Sequence, residues 1–284
     1  MEKEKDTQIT KIKYKKPKAT LLHSSPLSLG ELSGRVCYNS FDLSENKLVK
    51  DFENNTDEFT NNLSKLGDIE ESKLLDKLFN VYFHESVAEH INLTYFVKDV
   101  SREVVIEWNR TRIGIATSQK STRYTIEDVI DAWIDYNDTK TSLKHIDEDT
   151  FYKSFYNKVA SSIVHIDEDL IDITVSYLDD MLICYNYKEP LKKGLTGGAK
   201  KKQNDRVKRM LPESWMLEGV WTFNLRSLKH FVELRSSGSA YYGIQEVVET
   251  LLEQTPHKYR ILVDKKYRKE FLKDIKENKQ DKED

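Results

Sequence analysis

Apolar residues in this chain recur mostly at helical spacing, and that periodicity limits how it can build a core. Leu74, Leu75, Leu78, Phe79 and Tyr82 repeat at i, i+3 and i+4, with Glu71, Ser72, Lys73, Asp76 and Lys77 between them, the pattern of an amphipathic helix. Phe151, Phe155, Val159 and Ile163 show the same spacing. After a break, so do Ile171, Val175, Leu178 and Leu182, which predicts helices through 150–187. Further helices are predicted over 101–108, 227–234 and 243–252. Another is predicted over 126–136, with Thr125 as its N-cap and Asp128 in its third position. The stretch 91–97 (INLTYFV) is β-branched and aromatic and reads as a strand.

These periodic residues must serve 284 residues of which only 38% are hydrophobic and 33% are charged. The length suffices for a large buried core, in one large domain or two small ones. An aromatic content of 11% opposes a disordered polymer. The 45 Lys and Arg against 48 Asp and Glu leave a net charge of −3, too balanced for a protein that coats nucleic acid. Cys37 and Cys184 form neither a disulfide framework nor a Cys-x-x-Cys metal site. They suit a reducing compartment and are expected to be buried structural thiols. No apolar run approaches the roughly 20 residues of a membrane span, and the N-terminus lacks the apolar stretch of a signal peptide. A soluble cytoplasmic protein is expected, in host cytoplasm if the source is viral.

Residues 1–17 read as a flexible basic arm and 265–284 as a charged tail. His-Ile-Asp-Glu-Asp occurs at 145–149 and again at 165–169. Acidic residues favour helix N-termini, so these read as two similar helix starts rather than a repeat architecture. The Gly/Lys-rich segment 188–209 is predicted to be a mobile loop.

Three segments could carry chemistry. In His84-Glu-Ser-Val-Ala-Glu-His90 the two histidines are six apart, which on a helix leaves them roughly 120° apart by the 100° step, unlike the zinc-binding i, i+4 pair. Between Trp108 and Tyr124, Arg110, Arg112 and Arg123 stand among Thr117, Ser118 and Ser121 with no acidic residue. Arginines suit planar phosphate recognition, hydroxyls and loop amides can complete an anion cradle, and the absence of local partners favours an external anion. The third segment runs from Asn224 to Gln245. Leu228, Phe231 and Leu234 form its core face, and Arg235 ends the helix either at a ligand pocket or as a cation at the helix C-terminus.

In order, these segments resemble the flavin-dependent thymidylate synthases. The residues that carry the resemblance are Arg35-Val-Cys37-Tyr38, His84-Glu-Ser86, Glu89-His90, Arg110-Thr-Arg112, Ser121-Thr-Arg123-Tyr124, Asn224-Leu-Arg226-Ser-Leu228, Leu234-Arg235 and Ala240 through Ile244-Gln245, across about 18–262. The resemblance implies an α/β fold, a mixed sheet flanked by long helices. It also implies one catalytic domain over 18–264, with an insertion-like helical and loop region at about 137–205. The implied activity is reductive methylation of dUMP to dTMP. Methylenetetrahydrofolate is the carbon donor, reduced FAD the hydride source and NADPH the reductant, in a homotetramer with sites shared between subunits. Glu107, Arg110, Gln119, Ser121, Arg123 and Lys208 would surround dUMP. Arg235 would be the activating arginine at the uracil edge. His84, Ser86, Arg110, Thr111, Arg112, Gln119, Asn224, Arg226 and His230 would contact FAD, which carries the hydride chemistry. The family needs no cysteine nucleophile.

Departures from the family pattern are specific. Thr111 replaces an imidazole, Glu107 stands where Gln is usual, Lys208 replaces an Arg and Gln119 stands where Glu is frequent. Eight residues, 113–120, precede Ser121 where the family has seven. Glu107 would add negative charge beside a bound anion unless it is protonated or turned away. Two alternatives follow from the residues. One is a divergent member acting on another pyrimidine deoxynucleotide such as dCMP, or adding a hydroxymethyl group. The other is a non-catalytic nucleic-acid-binding protein using the lysines of 11–18 and 192–202.

Overall fold

The structure, a computed structural model, describes residues 13–52, 67–141 and 148–280. The chain divides into two compact units. One comprises Pro17–Lys98, Ile106–Ser118 and Gly219–Asp284; the other comprises Met1–Lys16, Asp99–Val105 and Gln119–Glu218.

The first unit is built on a four-stranded sheet. Its strands are β1 (Lys18–Ser24), β2 (Asn92–Ser101), β3 (Ile115–Gln119) and β4 (Met216–Asn224), in the order β1-β2-β4-β3. β1 and β2 run antiparallel, Lys18 opposite Lys98 and Ser24 opposite Leu93, with an irregularity between Leu21 and His23. β2 and β4 also run in opposite directions. Leu225 N–H donates to the Ile91 carbonyl at 2.8 Å, and the Thr94 and Thr222 hydroxyls meet at 2.9 Å. Strand periodicity sets the core face: Leu93, Tyr95 and Val97 alternate inward on β2, as do Leu217, Trp221 and Phe223 on β4. The strand expected over 91–97 is therefore present and continues to Ser101.

The expected mixed sheet is instead a small antiparallel one. Helices flank it, as expected of an α/β fold. They are α1 (Leu27–Tyr38), α2 (Lys73–Asn80) and α3 (Arg102–Trp108), which leads out of β2. Trp108 at its end stacks on Trp221 with ring centroids 4.4 Å apart and on Phe231 at 5.4 Å. In α2, Ser72 caps the start by accepting the Leu75 N–H, and Leu75, Leu78 and Phe79 are buried. Tyr82, assigned to that apolar stripe from the sequence, lies beyond the helix end and is exposed. On α1 the buried face carries Leu27, Gly30, Glu31, Gly34 and Arg35. A Cβ at Gly30 would sit 2.5 Å from Ile91 Cδ1, so any larger residue there would require the end of the Ile91 side chain to move.

The other unit is helical and contains α4 (Glu127–Thr141), α5 (Glu148–Ser162), α6 (Glu168–Lys188) and α7 (Gly197–Val207). Its core holds Trp133, Phe155, Val159, Val175, Leu178, Leu182, Val207 and Trp215. Burying an aliphatic side chain such as Leu182 contributes about 1.5–3 kcal/mol. Returning to the first unit, the chain forms α8 (Leu225–Arg235), α9 (Tyr242–Gln254), α10 (His257–Val263) and α11 (Lys265–Gln280).

Several expectations need correction. The segment 188–209 is not a loop: it contains α7 and a 3-10 turn, Lys208–Met210. The helix-forming run Ala199–Arg206 outweighs the two glycines at its start, and Asn204 and Val207 are buried. The stretch after Lys265 is a helix up to Gln280, held by a two-point Arg268–Asp76 pair at 2.8 Å in each contact. Of the basic arm, residues 1–12 lie outside the described residues. The rest is fixed: Lys15 N–H donates to the Val164 carbonyl at 2.6 Å, and Tyr14 bridges His165. Thr125 does not cap α4. Its hydroxyl donates to the Thr122 carbonyl at 3.2 Å and accepts the Trp215 indole N–H at 3.1 Å. Leu234 is exposed, because the buried face of α8 runs through Leu225, Leu228, Phe231 and Val232.

Both cysteines are exposed rather than buried, and both are free thiols. Cys37 falls outside the inner face of α1, and Cys184 outside the inward stripe of α6 at Ile171, Val175, Leu178 and Leu182. The first His-Ile-Asp-Glu-Asp falls largely outside the described residues, which resume at its Glu148, already in α5. In the second, Asp167 stands at the N-cap of α6 and accepts the Lys13 N–H. Among the described residues no helix is long and apolar enough to cross a membrane.

Candidate functional site

At the N-terminus of α8, two distant segments meet around an open cleft of about 660 Å³. Asn224 caps the helix, its side-chain oxygen accepting the Ser227 N–H at 2.8 Å. The cap fixes the first turn, and Arg226 and His230, four apart, project from one face. Ser227 Oγ then donates to the Ile113 carbonyl at 2.7 Å, tying the 110–114 loop to the helix. Gly114 makes that approach possible. Its φ is +69°, and a Cβ there would lie 2.2 Å from Ser227 Oγ and 2.4 Å from Asn224 Nδ2.

Arg110, Thr111, Arg112, Arg226 and His230 thus line one cleft, as the sequence motifs implied. Arg112 forms no hydrogen bond or ion pair among the described residues, leaving its guanidinium to face the cleft. Asn224 belongs to the site's frame, since its oxygen is committed to the cap. His84, at the N-cap of the neighbouring 3-10 turn Glu85–His90, and Ser86 within that turn are exposed, and Glu85 between them lines the cleft. The His84 ring stacks on Tyr38 and its Nδ1 hydrogen-bonds the Tyr38 hydroxyl at 2.5 Å.

The sequence motifs include Glu85 and Glu89 but gave no role to this acidic side of the cleft, and they missed the cation behind it. Glu89 accepts a 2.5 Å hydrogen bond from Arg226, and Glu85 accepts one from Lys229 Nζ at 2.7 Å. Lys229 is buried, donates to the Phe79 carbonyl at 2.8 Å and lies 4.4 Å from the Phe79 ring centre. A lysine on the core face of α8 breaks the apolar pattern, and that interruption was the available signal.

At the C-terminal end of α8, Arg235 is clamped by one residue of α3. Its Nη1 donates to Glu107 Oε2 at 2.8 Å and its Nη2 to the Glu107 main-chain carbonyl at 3.0 Å. Glu107 Oε1 accepts from Arg110 Nη1 at 2.8 Å. The Arg110 hydrogen bond, then desolvation opposing it, then the charges of Arg110 and Arg235 leave the Glu107 carboxyl below its usual range. Glu107 is therefore neutralised by two cations rather than by protonation. Arg235 Nε is buried and has no partner among the described residues.

Gln119 ends β3; in the helical unit that follows, the Ser121 hydroxyl caps a short turn, accepting the Arg123 N–H at 3.3 Å. Arg123 grips Asp205 at two points, Nε to Oδ1 at 2.7 Å and Nη2 to Oδ2 at 2.8 Å. Lys208 Nζ reaches the same carboxylate at 2.9 Å. The Arg123 hydrogen bond, followed by that of Lys208, holds the Asp205 carboxyl below its usual range. The expectation that Arg110 and Arg123 lack acidic partners is thus corrected: Glu107 and Asp205 serve them from outside the acid-free segment. The lysine runs are partly neutralised as well, Lys193 by Asp135 and Lys200 by Glu127.

The family described as thymidylate synthase complementing protein matches residues 20–259. The flavin-dependent thymidylate synthase of Wolinella succinogenes is 27% identical over 243 residues, covering 86% of this chain and 95% of that protein. The enzyme of the same name from Campylobacter jejuni is 26% identical over 245 residues, covering 86% of this chain and 94% of that protein. The crystal structure of Helicobacter pylori thymidylate synthase X with FAD and dUMP superposes with a TM-score of 0.60 at 22% identity, over 87% of this chain and 97% of that one, and shares its fold.

Proposed function

The chain belongs to the family of thymidylate synthase complementing proteins, and from that premise we propose that it converts dUMP to dTMP by reductive methylation. Methylenetetrahydrofolate supplies the carbon, reduced FAD the hydride and NADPH the reducing equivalents. The observation that carries this reading is the meeting of the 110–114 loop with the start of α8 around one cleft.

The residues of that cleft fit a flavin dinucleotide by their chemistry. Arg110, Arg112, Arg226 and His230 offer charged and polar donors to a pyrophosphate, and the capped start of α8 adds the positive end of a helix dipole. His84, Ser86, Thr111 and Gln119 complete the proposed flavin contacts. When bound, FAD supplies the hydride.

Arg123, Ser121, Gln119 and Lys208 hold the nucleotide's phosphate and sugar. Arg235 presents a cation to the uracil edge and stabilises the ionised base, an electrostatic contribution that grows where water is excluded. The reading includes a cytoplasmic setting and a homotetramer in which Arg123 and Arg235 serve pockets completed by another subunit. Residues 18–264 form the catalytic domain, with 137–205 as its insertion.

The test is direct. Purified protein should carry flavin absorbance and make dTMP from dUMP, methylenetetrahydrofolate and NADPH, identified by mass. Colourless protein that makes no dTMP even with added FAD would overturn the reading. A hydroxymethylated product, or turnover of dCMP in place of dUMP, would assign a sibling chemistry.

A further inference from the structure

We propose that Glu107 is a positioning residue for Arg235, fixing the plane of its guanidinium and setting the net positive charge that faces the nucleotide. This rests on the thymidylate synthase reading but changes the role of Glu107 from substrate contact to clamp.

Both carboxylate oxygens are already engaged, Oε1 by Arg110 and Oε2 by Arg235, at 2.8 Å each. A substrate donor would have to compete with two cations for them. The Arg235 contact is two-pointed: Nη1 meets the side chain of Glu107 and Nη2 its main-chain carbonyl at 3.0 Å. Two acceptors on one residue restrict both the rotation and the tilt of a planar guanidinium, which a single contact cannot do.

The clamp also has a rigid base. The residue after Glu107 is Trp108, fully buried and stacked between Trp221 at 4.4 Å and Phe231 at 5.4 Å. Arg235 sits on the last turn of α8, before the bend at Ser236. Without the clamp, its long side chain would rest on a helix end. With it, the guanidinium is referenced to the aromatic core. Its Nε is buried and without a partner among the described residues.

Charge follows from the same contacts. Arg110, Arg235 and Glu107 sum to +1, whereas an amide at 107 would leave +2. The carboxylate thus weakens attraction for an anionic nucleotide while orienting the arginine that acts on its base. Orientation affects kcat, and net charge affects KM.

Holoenzyme variants Glu107→Ala and Glu107→Gln separate these effects, with melting temperature as a check on folding. Glu107→Ala should lower kcat about tenfold without raising the KM for dUMP. Glu107→Gln keeps an acceptor for Nη1, so it should restore kcat to within about threefold of wild type while KM falls about threefold. If Glu107→Ala does not fold, the Glu107→Gln pattern alone decides. Unchanged kcat in Glu107→Ala, equal impairment of both variants, or a raised KM with kcat preserved would overturn the clamp. Wild-type protein that makes no dTMP would sink the enzyme reading instead. The clamp would then be judged by dUMP affinity: tighter binding in Glu107→Gln supports it, and unchanged binding overturns it.

Discussion

Arg123 and Asp205 face each other as a two-point ion pair, Nε on Oδ1 at 2.7 Å and Nη2 on Oδ2 at 2.8 Å. The pair orients the arginine proposed to hold the nucleotide phosphate, and both side chains remain about a third exposed, at 31% and 34%. Exposed pairs add little to stability but can still set a side chain's direction. Arg123 is proposed to bind the phosphate itself, so loss of its fixed direction acts on binding and outweighs the negative charge removed. Asp205→Ala should therefore raise the KM for dUMP about threefold to tenfold, with melting temperature nearly unchanged. A steady-state titration of dUMP checks this; an unaltered KM would remove Asp205 from the site.

That pair also shows what the sequence concealed. The contact spans 82 positions, and Asp205 sits in a segment whose Gly and Lys content reads as a loop. Local composition cannot reveal that Asn204 is buried, its amide donating to the Arg123 carbonyl at 2.9 Å. The helices through 150–187 were legible because each core face repeats at helical spacing. The strand at β2 was legible from its β-branched and aromatic residues. Motif order brought Arg110, Arg112, Arg226 and His230 to one site. The partners of Arg235 and Lys229 were not legible, because they lie 128 and 144 positions away and no local pattern links them.

Acid should weaken the docking of α11. The hydrogen bond from Arg268 holds the Asp76 carboxyl below its usual range, against an opposing contribution from burial. A carboxyl with a lowered folded-state pKa contributes stability above its unfolded pKa, about 3.9 for Asp. That contribution disappears as pH falls through the still lower folded value. Thermal melting between pH 5 and 8 should therefore show no Asp76-dependent slope. Below about pH 4 wild type should lose stability faster than Asp76→Asn, which lacks the titrating group. Parallel wild-type and variant curves in that acid range would contradict the assignment.

Lys229 ties the turn beside the cleft to α8. Its buried ammonium bonds Glu85 at 2.7 Å and the Phe79 carbonyl at 2.8 Å, on either side of Phe83, whose φ is +57°. Lys229→Met removes both hydrogen bonds while keeping much of the apolar stem. The loss should be about 2 kcal/mol, below the 3–5 kcal/mol typical of broken buried pairs because Glu85 is still partly solvated. Denaturant unfolding measures that loss, and the retained flavin absorbance reports whether the displaced turn still supports the cofactor. A variant as stable as wild type would show that the turn holds its shape without this lysine.

Arg112 offers the reverse case. It lines the cleft, is exposed and has no hydrogen bond or ion pair among the described residues, whereas Arg226 beside it is paired with Glu89. Removing an unpaired exposed guanidinium leaves no buried acceptor unsatisfied, so Arg112→Ala should shift stability by less than about 0.5 kcal/mol. If its charge is directed at the flavin pyrophosphate, the same change removes a charge-assisted contact and should weaken FAD binding about tenfold. Flavin titration of apoprotein by fluorescence quenching measures this directly, independently of turnover. Arg226→Ala should weaken FAD binding too, but it also frees Glu89 to repel the cofactor, while Glu85 keeps its bond to Lys229. Lowered ionic strength should therefore worsen the Arg226 variant more than the Arg112 variant, since screening acts on exposed like charges. Equal FAD affinity in wild type and Arg112→Ala would place the pyrophosphate elsewhere on the protein.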